Sequence, residues 1–217
     1  MTVEAGTIEF NGWTLRTQPS DSAASKLLVL IHGWTGDENS MWVFTRRFSR
    51  DYWMIAPRAP YQADTSGFSW RPPEEGTFGR PSLELLKPSA EALIQLIDEY
   101  AASVKLDATQ FDVIGFSQGA AMVSALGALY PQRVRKMGVL AGFVPYQFDT
   151  IVESRPLVGK HIFVAHGTQD QTVTVDRARA SMALLEQAGA TITYCEDEVG
   201  HKLSSKCLRA LEAYLED

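Results

Sequence analysis

Short apolar runs, each stopped by glycine, proline or a His-Gly pair, alternate with longer stretches whose apolar residues recur every three or four positions. The runs Lys26–Ile31, Tyr52–Ala56, Phe111–Ile114, Met137–Ala141 and His161–Ala165 lack a polar alternation. They are predicted to be strands buried on both faces. Thr191–Cys195 alternates with polar residues and suits an edge strand. Thr7–Thr17 carries Ile8, Phe10, Trp13 and Leu15 around Asn11-Gly12, which predicts a hairpin. Helical spacing is found over Trp42–Phe48, Pro88–Val104, Gln118–Leu129, Asp176–Gln187 and Lys202–Leu215. Pro88 suits a first helical turn, and Gly189 suits a C-terminal cap. Strands and helices in alternation predict one α/β domain over 1–217, a mostly parallel sheet flanked by helices. The stretch Pro60–Pro81 follows neither period. It holds Gly67, Phe68, Trp70, Gly76, Phe78 and Gly79, and loops of that length in compact domains usually serve function.

Composition narrows the functional classes. The chain has 217 residues, 45% hydrophobic and 21% charged, which fits a globular domain and excludes general disorder. No apolar run is long enough to span a membrane, and no signal-peptide pattern opens the chain. A soluble cytoplasmic protein without stable membrane anchoring is therefore expected. The net charge of −6 argues against general nucleic-acid binding. Arg46, Arg47, Arg133, Arg135 and Lys136 read as scattered solvated positions. The two cysteines, Cys195 and Cys207, are too few for a disulfide framework or an all-cysteine zinc site, and two unpaired thiols are expected. A homodimer is left open.

The chemistry centres on Gly115-Phe116-Ser117-Gln118-Gly119, a G-x-S-x-G that ends a strand and opens a helix. That setting is a nucleophile elbow, which projects the serine hydroxyl above the sheet edge. Its glycines let strand and helix approach, and the helix start favours a developing oxyanion. A serine hydroxyl needs a base, and imidazole accepts its proton near neutral pH. His32, His161 and His166 lie at strand ends and read as packed structural residues. His201 lies between the last strand and the last helix, on a loop that can overhang Ser117. Asp170, just after the strand ending at His166-Gly167, is the preferred carboxylate to orient it. Asp149 is the rival, and Glu196, Asp197 and Glu198 read as a solvated acidic turn. Ser117, Asp170 and His201 follow the chain order of α/β hydrolases. Backbone N–H groups of Gln118 and Trp34 are the candidates for an oxyanion hole. Phe68 and Trp70 are expected to wall a substrate pocket, with the pinning of the loop by Trp70 as the competing role.

With those residues in place, the chain resembles the phospholipase/carboxylesterase family of α/β hydrolases, which includes carboxylesterases and acyl-protein thioesterases. The resemblance rests on LIHGWTGDE at Leu30–Glu38, APRAPY at Ala56–Tyr61, GFSQGA at Gly115–Ala120, LAGFVP at Leu140–Pro145, HGTQD at His166–Asp170 and Gly200-His201. It implies an α/β-hydrolase fold without a large cap domain and a Ser117-Asp170-His201 triad. It also implies oxyanion donors at Trp34 and Gln118, an acyl pocket lined by Phe143 and Val144, and no metal or organic cofactor. The chain departs from the family at Trp34 and Thr35, where many members carry Leu and Gly. The activity this implies is serine carboxylesterase action on small to medium esters, through an acyl-enzyme. The alternatives are an acyl thioesterase or lysophospholipase using the same triad, and a non-catalytic binding protein on the same fold.

Overall fold

The structure is a computed structural model, and it describes residues 5–22, 25–64, 66–73 and 81–217. Ten strands occur among these residues: β1 Gly6–Phe10, β2 Trp13–Gln18, β3 Lys26–Ile31, β4 Tyr52–Pro57, β5 Tyr61–Gln62, β6 Phe68–Ser69, β7 Phe111–Phe116, β8 Val134–Leu140, β9 His161–Gly167 and β10 Thr191–Asp197. The α-helices are α1 Leu83–Val104, α2 Gln118–Leu129, α3 Val175–Gln187 and α4 Ser205–Glu216. Eight strands form one sheet in the order β1-β2-β4-β3-β7-β8-β9-β10. From β4 to β10 every pairing is parallel, and only β1–β2 and β2–β4 are antiparallel. No cap domain covers the fold among the described residues.

The apolar strands divide their side chains between two cores. Leu27, Val29 and Ile31 of β3 pack on the face that also buries α1 and α2, while Leu28 and Leu30 pack on the opposite face with α4. Ile162 and Val164 of β9 join the first core, and Phe163 and Ala165 join the second. This period-two division is why uniformly apolar runs belong in a doubly covered sheet. The Asn11-Gly12 turn has both residues at positive φ, 46° and 82°, which matches the twist of a tight hairpin.

Several local expectations change. The helix expected from Pro88 begins at Leu83, because Ser82 caps it by accepting the Leu85 N–H. Pro88 is therefore inside the helix. Trp42–Phe48 forms two short 3₁₀ turns, Ser40–Val43 and Thr45–Arg47, instead of an α-helix. There the Thr45 hydroxyl bonds the Trp42 carbonyl and the Trp42 indole donates to the Glu38 carbonyl, so side chains satisfy the backbone locally. The final helix starts at Ser205, capped by Ser204. Cys195 and Cys207 are not unpaired thiols. β10 lays Cys195 against the first turn of α4 with a Cα–Cα separation of 5.5 Å, and the two form a disulfide. The segment Pro60–Pro81 holds the small β5–β6 ladder. Its Gly76, Phe78 and Gly79 lie outside the described residues.

Candidate active site

Loops at the carboxyl ends of β3, β7, β9 and β10 build the site. β7 ends at Phe116, and Ser117 turns the chain into α2 with φ 56° and ψ −115°. A non-glycine residue rarely takes that conformation, and such strain is characteristic of a nucleophile elbow. The turn is held from below, because the Ser117 N–H donates to the Leu140 carbonyl of β8. Gly119 is obligatory at this turn: a Cβ there would collide with the Ile31 carbonyl, and one at Gly115 would collide with the Gly119 carbonyl. The α2 helix thus sits directly on the strand ends, with the N–H of Gln118 first in its series.

β9 ends at Gly167 and leads to Asp170, whose side chain is fully buried. One carboxylate oxygen accepts the N–H groups of Thr172 and Val173 at 2.8 and 2.9 Å. The other lies 2.6 Å from His201 Nδ1. An ionised carboxylate only accepts hydrogen bonds, so this contact directs the Nδ1 proton toward Asp170 and leaves Nε2 as an acceptor. The loop carrying His201 is stitched to the loop carrying Asp170, through Thr168 N–H to Asp197 O and Gln169 N–H to Val199 O. The rival acids are occupied elsewhere. Asp149 lies on the 3₁₀ turn Phe148–Ser154 and lines a separate groove. Glu196 pairs with Arg179 and accepts the Tyr194 hydroxyl, so the acidic turn is tied down as well as solvated. His166 is buried and donates from Nε2 to the Val173 carbonyl, with Asp170 3.5 Å away.

Ser117 and His201 wall one cleft of ≈ 360 Å³, together with Phe116, Phe44 and Met41. The His201 ring packs 4.9 Å from Phe116. No hydrogen bond joins Ser117 to His201 among the described residues, which is common for such pairs before substrate closes the geometry.

The loop after β3 stands opposite. The His32 ring contacts the Gly33 carbonyl through Nδ1 at 2.7 Å and accepts the Ala59 N–H through Nε2 at 3.0 Å. Burial holds the His32 pKa below its usual value, so the ring stays neutral. The Gly36 N–H also donates to the Gly33 carbonyl. Peptide planarity then turns the N–H of Trp34 away from that pair. Trp34 itself borders both clefts that flank Ser117. Thr35 adopts φ 66°, the left-handed region in which glycine is at ease.

The pocket residues fall out differently from expectation. Trp70 has no exposed surface and belongs to the core, where its indole donates to the His32 carbonyl at 2.8 Å. It pins the loop and does not wall the cleft. Phe68 pairs with Gly36 across an antiparallel bridge and lies under the Arg58 guanidinium. Gln118 contributes its side chain as well as its amide. Its buried carboxamide accepts the Trp70 N–H at 2.9 Å and contacts Ser69. Residues 66–73 of the long loop therefore brace the β3 loop. Phe143 does wall the second cleft beside Ser117, with Trp34, Arg71, Val173 and Arg177, in a cavity of ≈ 80 Å³. Val144 faces the neighbouring groove with Tyr146 and Asp149. Arg71 and Arg177 were not distinguished in the sequence, because nothing in their spacing marks them. Among the described residues no group of His, Cys, Asp and Glu is placed to hold a metal ion. None of the described helices is long and apolar enough to cross a membrane.

Residues 14–217 match the family model described as Phospholipase/Carboxylesterase. An Arabidopsis thaliana protein named "Probable carboxylesterase SOBER1-like" is 26% identical over 214 residues, covering 90% of this chain and 79% of that protein. Acyl-protein thioesterase 1 of Debaryomyces hansenii is 27% identical over 197 residues, covering 81% and 82% of the two chains. Among solved structures, the Bacillus cereus carboxylesterase superposes with a TM-score of 0.82 at 22% identity, covering 95% of this chain and 94% of that one.

Proposed function

Because the chain belongs to the phospholipase/carboxylesterase family of α/β hydrolases, we propose that it is a serine carboxylesterase acting on small to medium esters. Ser117 attacks the ester carbonyl while His201 Nε2 takes its proton, and Asp170 holds the imidazole tautomer. The N–H groups of Gln118 and Trp34 stabilise the tetrahedral oxyanion. His201 then protonates the departing alcohol and later activates the water that hydrolyses the acyl-enzyme. The observation that carries the reading is the 2.6 Å contact between His201 and a buried, twice-amide-bonded Asp170, beside a strained Ser117. No step requires a metal or organic cofactor. A second reading, acyl-thioester hydrolysis by the same residues, is favoured by the yeast relative named as an acyl-protein thioesterase.

The cavity of ≈ 80 Å³ supports short acyl chains. Each methylene that fits contributes about 0.8 kcal/mol, and further carbons contribute nothing. A panel of p-nitrophenyl esters from acetate to palmitate, with the matching thioesters, tests the assignment. The expected result is an optimum at short or medium chains, higher kcat/KM for oxygen esters, and a loss of about 10⁶-fold in kcat for Ser117→Ala. A palmitate optimum would reject the pocket, and substantial activity in Ser117→Ala would reject the nucleophile. Paired cysteines suit an oxidising compartment better than a reducing one, so the cysteines no longer argue for a cytoplasmic location.

A further inference from the structure

We infer that selection lies on the alcohol side of the ester, and that the preferred substrates are short acyl esters of neutral alcohols that carry an aromatic ring. The inference rests on the esterase reading above and adds the class of leaving group. Two clefts border Ser117, and they differ in size and in the residues that wall them. His201 walls only one of them, the groove of ≈ 360 Å³. The departing oxygen must receive its proton from His201, so the alcohol occupies that groove. The acyl group is left the cavity of ≈ 80 Å³. The larger half of the ester is therefore the alcohol.

The walls of the groove give that alcohol its chemistry. Phe116 packs on the His201 imidazole at 4.9 Å between centroids and on Phe44 at 5.9 Å, so an aromatic wall continues from the base to Phe44. Phe44 and Phe116 are each only half-buried, which leaves ring surface for an incoming group. An arene packed on arenes gains more than its burial alone. Met41 adds a thioether to the same wall, and sulfur also packs well on rings. Asp, Glu, Lys and Arg are absent from the described residues that wall the groove, so a charged alcohol meets no counter-charge there. The wall is also built in advance. Phe44 closes the turn Ser40–Val43 with its N–H on the Met41 carbonyl, and the Trp42 indole ties that turn to the Glu38 carbonyl. Glu38 is buried and is held in turn by Arg58 at 2.8 Å. A wall fixed before binding loses little entropy when a ring settles on it.

The reaction balances as ordinary hydrolysis. The Ser117 oxygen bonds the acyl carbon as the bond to the alcohol oxygen breaks, and His201 passes the serine proton to that oxygen. The ring-bearing alcohol leaves along the groove. Water then breaks the acyl-serine bond and releases the short acid.

The test compares two isomers that differ only in the direction of the ester bond, 2-phenylethyl acetate and methyl 3-phenylpropanoate. The first carries its ring on the alcohol and the second on the acyl group. Acid release is followed for both, with Ser117→Ala as the blank, and each kcat/KM is divided by that isomer's rate constant for hydrolysis by hydroxide. In the unmodified protein the ratio is expected to favour the acetate by about 10-fold or more, as burial of a ring on one side only would give. Phe44→Ala is expected to lower that ratio at least about 5-fold, and Phe44→Leu to lower it less. A ratio at or below one, or the same ratio in Phe44→Ala, would overturn the inference while leaving the esterase reading intact. Should Phe44→Ala fail to fold, Phe44→Leu decides: a lower ratio supports the groove, and an unchanged one overturns it. If neither isomer is turned over in a Ser117-dependent way, the esterase reading fails instead. Saturation transfer from the protein to the ring of 2-phenylethanol then still decides the groove: a signal that the Phe44 variant weakens supports it, and no signal or an equal one overturns it.

Discussion

Breaking the disulfide between Cys195 and Cys207 is expected to cost the native protein about 3 kcal/mol. The bond closes a ring with a sequence separation of 12 between β10 and the first turn of α4. Closing a loop of that length removes roughly 10 cal/mol/K from the unfolded chain, which is about 3 kcal/mol at room temperature. At a melting entropy of about 2.1 cal/mol/K per residue, a chain of this size shifts by roughly 6 °C. His201 lies midway along that ring. The backbone bonds from Thr168 and Gln169 still brace the loop after reduction, so folding survives while turnover falls with KM nearly unchanged. The assay is a pair of melts, one on the oxidised protein and one after refolding and scanning in a phosphine reductant. Alkylation and mass measurement count the thiols in each. Coincident melts with both thiols free in the reduced sample would refute the loop-closure argument. Free thiols in the untreated protein would refute the bond itself.

Other perturbations separate the remaining parts of the account. Asp112→Ala at the far end of β7 removes the buried partner of Arg135 and Tyr52; it is expected to cost about 3–5 kcal/mol in denaturant melts, and a loss under 1 kcal/mol would contradict it. His32 is held below its ordinary pKa of 6.5 by burial, so the unfolded chain binds more protons than the native one. Stability should therefore fall as pH drops below about 6.5, and His32→Gln should flatten that part of the melting-temperature profile; an unchanged slope would count against it. Asp170→Asn is expected to lower kcat by about 10⁴-fold with the fold retained, whereas Asp149→Asn should have little effect. The reverse ranking in ester hydrolysis would move the acid to Asp149.

What the sequence revealed and what it hid follow from the range of the interactions. The elbow was legible because strand end, glycines, serine and helix start are contiguous, and each constrains its neighbour locally. The meeting of Asp170 with His201 was legible from a topological rule, since loops after parallel strands converge on one sheet edge. Trp70 was misread because its burial depends on a bond to the His32 carbonyl and on the Gln118 carboxamide, contacts across 38 and 48 residues. The cysteine pair, only 12 residues apart, was missed because the docking of α4 on β10 brings the two together. Helix α1 was begun too late because Pro88 drew the boundary toward itself, while the cap at Ser82 gives a weaker sequence signal. Arg71 and Arg177 lie far apart in the chain and border one cleft only in the finished fold.

The most direct test of the central claim is the site and rate of covalent labelling by diisopropyl fluorophosphate, followed by peptide mass mapping. A single adduct is expected on Ser117, and its rate should fall by about 10³-fold or more in His201→Ala, because the hydroxyl then lacks its base. An adduct on another residue, no adduct at all, or an equal rate in His201→Ala would contradict Ser117 as an activated nucleophile.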